Sequence, residues 1–155
     1  MPEFKELTIT RVFNASRERV WRAWTDPTEL ANWWGPRGVT NPICNVDLRV
    51  GGMIHVVMLA GPELGPFAGQ RWPMKGTFTE ITPPEKLVFN NQAVDEQNNL
   101  LIGGVTTVIL EEDNGKTTMT LHVTAKAAVP QASQMIEGME AGWTQSIDKL
   151  REMLG

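Results

Sequence analysis

The sequence predicts an α+β fold in which a curved antiparallel sheet of about six to seven strands wraps around a long C-terminal helix. Two short helices are predicted after the first strand. Alternating apolar and polar residues occupy most of the chain, and a helical apolar stripe occupies its end. A long amphipathic helix must bury its stripe, and the apolar face of an antiparallel sheet provides the surface. The 155 residues are expected to form one domain over 1–155.

The first strand and the two short helices are predicted from alternation and capping residues. Phe4–Phe13 alternates as a half-buried strand does. Ser16 can cap a first helix, which Pro27 cannot continue. Either Asp26 or Thr28 can cap a second helix, which ends at a Gly-Pro pair.

Six further strands are separated by Gly, Pro and Asn turn signals. The turn Asp113-Asn114-Gly115 is the strongest of these signals, because Asn and Gly tolerate positive φ. In the last strand His122 alternates with threonines, so we expect it to face solvent. The predicted strands are Val39–Leu48, Met53–Leu59, Lys75–Ile81, Leu87–Val94, Gly104–Glu111 and Thr117–Thr124.

After Pro130 the apolar residues recur at steps of three and four, which predicts one long helix. Gly138 and Gly142 lie within it, although each glycine costs roughly 1 kcal/mol relative to alanine. Lying four residues apart, they either allow another element to approach closely or leave room for something else. The apolar stripe comprises Met135, Met139, Trp143, Ile147, Leu150 and Leu154.

The composition argues against several classes of function. The net charge of −4 and the absence of like-charge runs are not typical of a nucleic-acid or anionic-membrane partner. No apolar run approaches the roughly 20 residues that span a bilayer, and no secretion signal is evident, so we expect a cytoplasmic protein. One cysteine, two scattered histidines and no phosphate-binding loop lead us to expect neither a metal nor a cofactor.

Five segments together resemble the START-like, helix-grip (SRPBCC) superfamily. More narrowly, they resemble the family homologous to the activator of the heat-shock protein 90 ATPase. The resemblance implies a cavity between the sheet and the long helix, and the superfamily includes binders of hydrophobic compounds, cyclases, hydrolases and dehydratases. The segments are Val20–Pro27, Trp33–Pro36, Asp47–Gly52, Thr82–Val88 and Gly142–Leu150.

The resemblance directs attention to residues that can line such a cavity. Phe67 and Trp72 lie in the breaker-rich segment 60–73, where they either cover the cavity mouth or pack on the sheet edge. His55 either faces inward as a hydrogen-bonding or acid–base group, or is an ordinary, partly exposed histidine. The predicted ligand-binding residues are His55, Met58, Phe67, Trp72, Phe89, Met139 and Trp143.

The leading functional hypothesis is binding of a small hydrophobic molecule in this cavity. One alternative is a cyclase, hydrolase or dehydratase, for which His55, then Glu80 and Asp47, are the acid–base candidates. Another is a protein-interaction module, which requires Trp33, Trp34 or Phe67 on the surface. A chaperone partner is not favoured, because 155 residues leave no room for the extra domain of the eukaryotic cochaperone.

Overall fold

The computed structural model describes residues 4–154 and contains an open antiparallel sheet of seven strands. The strands are β1 Phe4–Phe13, β2 Val39–Val46, β3 Met53–Ala60, β4 Arg71–Thr82, β5 Lys86–Val94, β6 Leu100–Asp113 and β7 Lys116–Ala127. Their order across the sheet is β1-β7-β6-β5-β4-β3-β2, so the chain's first two strands form opposite edges. The predicted α+β helix-grip fold is confirmed.

Two short helices, α1 Arg17–Thr25 and α2 Pro27–Trp33, connect the two edges of the sheet. The Ser16 hydroxyl caps α1 by accepting the Arg19 N–H at 3.2 Å. The Asp26 carboxylate caps α2 by accepting the backbone N–H groups of Thr28 and Glu29, at 2.8 and 3.2 Å. Each side chain thereby satisfies amides that the helix itself leaves unpaired.

The C-terminal segment forms two helices, α3 Ser133–Glu137 and α4 Met139–Leu154, where the sequence predicted one. Gly138 separates them, with φ −85° and ψ −2°, and its N–H donates to the Gln134 carbonyl. Glycine has a high entropic cost in a helix, and it has no side chain whose packing would favour one continuous helix. The apolar stripe is nevertheless present along α4.

The apolar residues form two separate clusters. Helices α1, α2 and α4 cover the main core cluster on the sheet, and α3 covers the second core cluster at the other end. The largest wholly buried side chains of the main cluster include Phe13, Trp24, Leu30, Trp33, Phe78, Phe89 and Ile147. The second cluster comprises Ile102, Ala125, Ala132 and Ile136.

Helix α4 is fastened at its C-terminal half by both packing and charge. Ile147 and Leu150 are fully buried in the main core cluster. Arg11, which lies on the apolar face of β1, forms an ion pair with Asp148 at 2.7 Å. Arg37 forms an ion pair with Glu152 on the next turn. These contacts fix α4 against both β1 and the segment that follows α2.

We predict that Leu150→Ala lowers the free energy of unfolding by about 2–5 kcal/mol, because it leaves a cavity where α4 is tightly packed. Leu48→Ala removes the same atoms from a side chain that is 41% exposed, and its effect should stay below about 0.5 kcal/mol. Denaturant unfolding measures both. Equal losses in the two variants would show that α4 is not tightly packed against the main core cluster at Leu150.

Candidate functional site

An open cavity of about 960 Å³ lies between the two core clusters. The sheet lines it through β3 to β7, and α3 and α4 line the opposite side. Met139 packs against both clusters and so bridges the gap between them. The apolar core is therefore divided by a space that its own side chains do not fill.

Small residues on the C-terminal helices account for much of this space. Gly138, Gly142 and Ser146 recur at steps of four, and all three line the cavity. A Cβ built on Gly142 would meet nothing within 4 Å. Of the two explanations that the sequence left open for these glycines, the structure favours open space over close approach, since nothing within residues 4–154 comes close to the position of a Gly142 side chain.

Methionine and tryptophan make up most of the large apolar side chains that line the cavity. Four of the eight methionines and three of the six tryptophans line the cavity. Trp143 is held between Trp34, edge-to-face at a centroid distance of 5.3 Å, and Trp24, stacked at 6.3 Å. The indole wall is thus rigid. The lining methionines are Met58, Met74, Met135 and Met139.

The turn Trp34-Gly35-Pro36 forms another part of the lining. Gly35 has φ +88°, and a Cβ there would lie 2.6 Å from the Met58 sulfur. The Lys149 ammonium donates to the carbonyls of Trp34 and Pro36 at 3.5 and 3.3 Å, and burial lowers the pKa of Lys149. Lys149 therefore ties this turn to α4.

The mouth of the cavity combines exposed apolar and polar side chains. Phe67 is 53% exposed and contacts Trp72 edge-to-face at 6.3 Å, while Met135 on α3 is 40% exposed. Asp95 also lies here, and hydrogen bonds from Asn99 hold the pKa of its carboxyl below the usual value. The other polar lining residues with high exposure are Gln70, Arg71, Glu96, Gln97 and Gln134.

Five of the seven predicted binding residues line the cavity, namely Met58, Phe67, Trp72, Met139 and Trp143. His55 and Phe89 do not. Ile54 and Val56 on β3 are buried in the main core cluster, so the alternation turns His55 to the other face, between Asn45 and Lys75.

Phe89 shares the cavity face of β5 but is fully buried against Phe78, edge-to-face at 5.9 Å. It belongs to the solid part of the main core cluster. The pattern of alternation finds the correct face of the strand, but not the point along the strand where the core ends and the cavity begins.

The residues considered for acid–base chemistry also lie outside the cavity. Asp47 pairs with Arg49 at 2.8 Å, and Glu80 pairs with Lys86 at 3.4 Å. Within residues 4–154, no group of three or more His, Cys, Asp and Glu residues is arranged to hold a metal ion. His122 is half-exposed and lies 3.4 Å from Glu6 on the outer face.

Besides the polar residues at the mouth, sequence reasoning missed Asn91 and Ser146 in the deeper lining. Asn91 is the polar member of an apolar face on β5, two residues after Phe89. Ser146 continues the row of small residues that begins at Gly138. Both positions carry a signal in the sequence, because a polar or small residue interrupts an otherwise apolar pattern at each.

The fold and cavity together define a helix-grip protein with a space between its sheet and C-terminal helices. Residues 14–155 match the family described as Activator of Hsp90 ATPase homolog 1-like protein, and the chain belongs to this family. The resemblance inferred from the sequence is thereby confirmed. None of the curated proteins matches the chain significantly.

Solved structures with the same fold come from several bacteria. A protein from Arthrobacter aurescens is 29% identical with a TM-score of 0.82, over 96% of this chain and 85% of that one. A Chromobacterium violaceum protein is 27% identical with a TM-score of 0.80, over 96% of each chain. The AHSA1 protein from Silicibacter pomeroyi is 26% identical with a TM-score of 0.74, over 97% of each.

We predict that Cys44 is chemically unreactive in the folded protein. Burial raises the pKa of its thiol to about 11. At pH 8 its alkylation by iodoacetamide should be on the order of 100-fold slower than in the denatured chain, because only the thiolate reacts. The native rate should rise with pH towards 11. Equal rates in the native and denatured chains would contradict this placement of Cys44.

Proposed function

We propose that the protein binds a small, mainly apolar molecule in the cavity between the sheet and helices α3 and α4. The observation that supports this most strongly is the cavity of about 960 Å³, lined mainly by apolar side chains. Pockets for small ligands typically have volumes of about 300–1,000 Å³ and apolar linings with a few polar groups. Membership of the family supports the same proposal, because its fold commonly binds ligands.

Burial of apolar surface supplies the main driving force for such binding. A ligand that buries about 300 Å² of apolar surface gains about 7.5 kcal/mol at about 25 cal/mol per Å², before the cost of association is subtracted. Methionine side chains adapt their shape to what they contact. The methionine-rich lining therefore favours a site that accepts several apolar shapes, while the fixed indoles of Trp34 and Trp143 limit its width.

The structure gives less support to the two alternative functions. An enzyme needs a positioned acid or base, and His55, Glu80 and Asp47 lie outside the cavity. The carboxylates that line it, Asp95 and Glu96, lie at its mouth, and Asp95 accepts hydrogen bonds from Gln97 and Asn99.

Of the three aromatic residues that an interaction module could expose, Trp33 and Trp34 are 0% and 6% exposed. Phe67 is 53% exposed, but it packs against Trp72 at the mouth of the cavity. Among residues 4–154, no helix is long and apolar enough to cross a membrane.

We predict that Gly142→Leu reduces ligand binding without destabilising the fold. The leucine side chain extends into open space in the cavity, and replacing a helix glycine favours the folded state by about 1 kcal/mol. The affinity for the neutral fluorescent probe N-phenylnaphthylamine should fall about tenfold or more. Probe fluorescence measures binding, and denaturant unfolding measures stability.

Ala141→Leu is the matched control, because it places the same side chain on the exposed neighbouring position, outside the cavity. Its affinity for the probe should equal that of the wild type. The proposed function fails if the wild-type protein shows no saturable binding of the probe. It also fails if Gly142→Leu and Ala141→Leu bind the probe as tightly as the wild type.

A further inference from the structure

Asn91 is the polar side chain that β5 presents to the cavity. It lies between Phe89 and Ala93 on the same face of the strand, and the residue opposite it on β6 is Gly104. Glycine provides no side chain to cover the Asn91 amide from that strand. The amide is therefore half-buried in an apolar lining and open towards the cavity.

A neighbouring threonine fixes the orientation of this amide. The Thr106 hydroxyl is 0% exposed and donates to Asn91 Oδ1 at 2.7 Å. A buried hydroxyl that lacks an acceptor is costly, and Asn91 Oδ1 is the acceptor that the structure places beside it. The amide nitrogen, Asn91 Nδ2, then points away from Thr106, with two N–H groups to donate.

Asn91 Nδ2 has no hydrogen-bond acceptor within the part of the chain that the structure describes. This nitrogen is unpaired but not fully buried, and Asn91 lines the cavity, so the nitrogen remains accessible from the cavity. A free donor beside apolar side chains favours a ligand that brings its own acceptor, because an unpaired polar group is costly once water is displaced.

The charged residues of the lining cannot take over this role. Arg71 and Glu96 are exposed at the mouth. Asp95 uses both carboxylate oxygens within its own turn: one accepts the N–H groups of Gln97 and Asn99, and the other accepts from the Asn99 side chain. The deeper lining thus offers a neutral donor and no charge, which favours a ligand without a charged group at that depth.

We propose that the cavity selects neutral apolar molecules that carry a carbonyl-type acceptor, and that Asn91 Nδ2 donates to this acceptor while Thr106 holds the amide in place. This inference rests on the proposed function, since it assigns a ligand class to the same cavity. Asn91 acts as a binding residue and Thr106 as a positioning residue.

The test compares two probes of the same shape, acetylnaphthalene and isopropenylnaphthalene, with the substituent at the same ring position. The two differ only in a C=O group where the alkene has C=CH₂. Binding of each is measured by titration with ¹H–¹⁵N NMR, which also records the side-chain amide of Asn91. In the wild type, the ketone should shift the side-chain amide resonances of Asn91, and the alkene should shift them much less.

The variant pair is Asn91→Leu with Thr106→Val, which removes both hydrogen-bonding partners together. Removing both partners avoids a buried, unpaired hydroxyl, so the double variant is expected to fold. The ratio of ketone to alkene affinity should fall about 2- to 10-fold relative to the wild type, as expected for one lost hydrogen bond. Gln92→Leu, at the exposed neighbouring position, should leave the ratio unchanged.

The single variant Thr106→Val provides a second measurement. It keeps the Asn91 amide but removes the group that orients it, so the ratio should fall by less than in the double variant. If both probes bind and neither variant changes the ratio, the role of Asn91 is overturned while the proposed function stands. If neither probe binds to the wild type, the proposed function and the ligand class are both overturned.

Discussion

The site depends on a row of small residues, Gly138, Gly142 and Ser146, on the C-terminal helices. These residues lie on the helix face that is turned towards the sheet. Where α4 carries Ile147 and Leu150, the helix and sheet meet and the core is solid. Gly138, Gly142 and Ser146 bring no long side chain to the space in front of them, and the cavity stays open beside Met139. The division of the core into two clusters follows from this change along one helix face.

An unfilled space loses the dispersion contacts that a packed core would make, so the fold must be stabilised elsewhere. The C-terminal half of α4 provides this through buried aliphatic packing and the Arg11–Asp148 ion pair. Lys149 adds hydrogen bonds to the turn that begins at Trp34. One half of the helix thus holds the fold together, while the other half leaves room for a ligand.

The sequence predicted the elements more completely than the site. The bounds of β1 and the cap Ser16 follow from local chemistry and are confirmed, and Asp26 is the one of the two candidate caps that caps α2. The facing of His55 could not be predicted, because both faces of β3 are apolar and alternation gives no answer. Two features depend on how α3 and α4 pack on the sheet, which periodicity alone does not encode. They are the break at Gly138 and the point along β5 where the solid core around Phe89 ends and the cavity begins.

The central claim is that a small apolar molecule occupies the space between the two core clusters, and methionine methyl groups report on it most directly. Intermolecular NOEs should be measured between acetylnaphthalene and protein labelled with ¹³C at the methionine methyls. The account predicts NOEs to Met58, Met74, Met135 and Met139, which line the cavity, and none to Met53, Met119 or Met153, which do not. NOEs confined to the second group, or no NOEs at all, would contradict it.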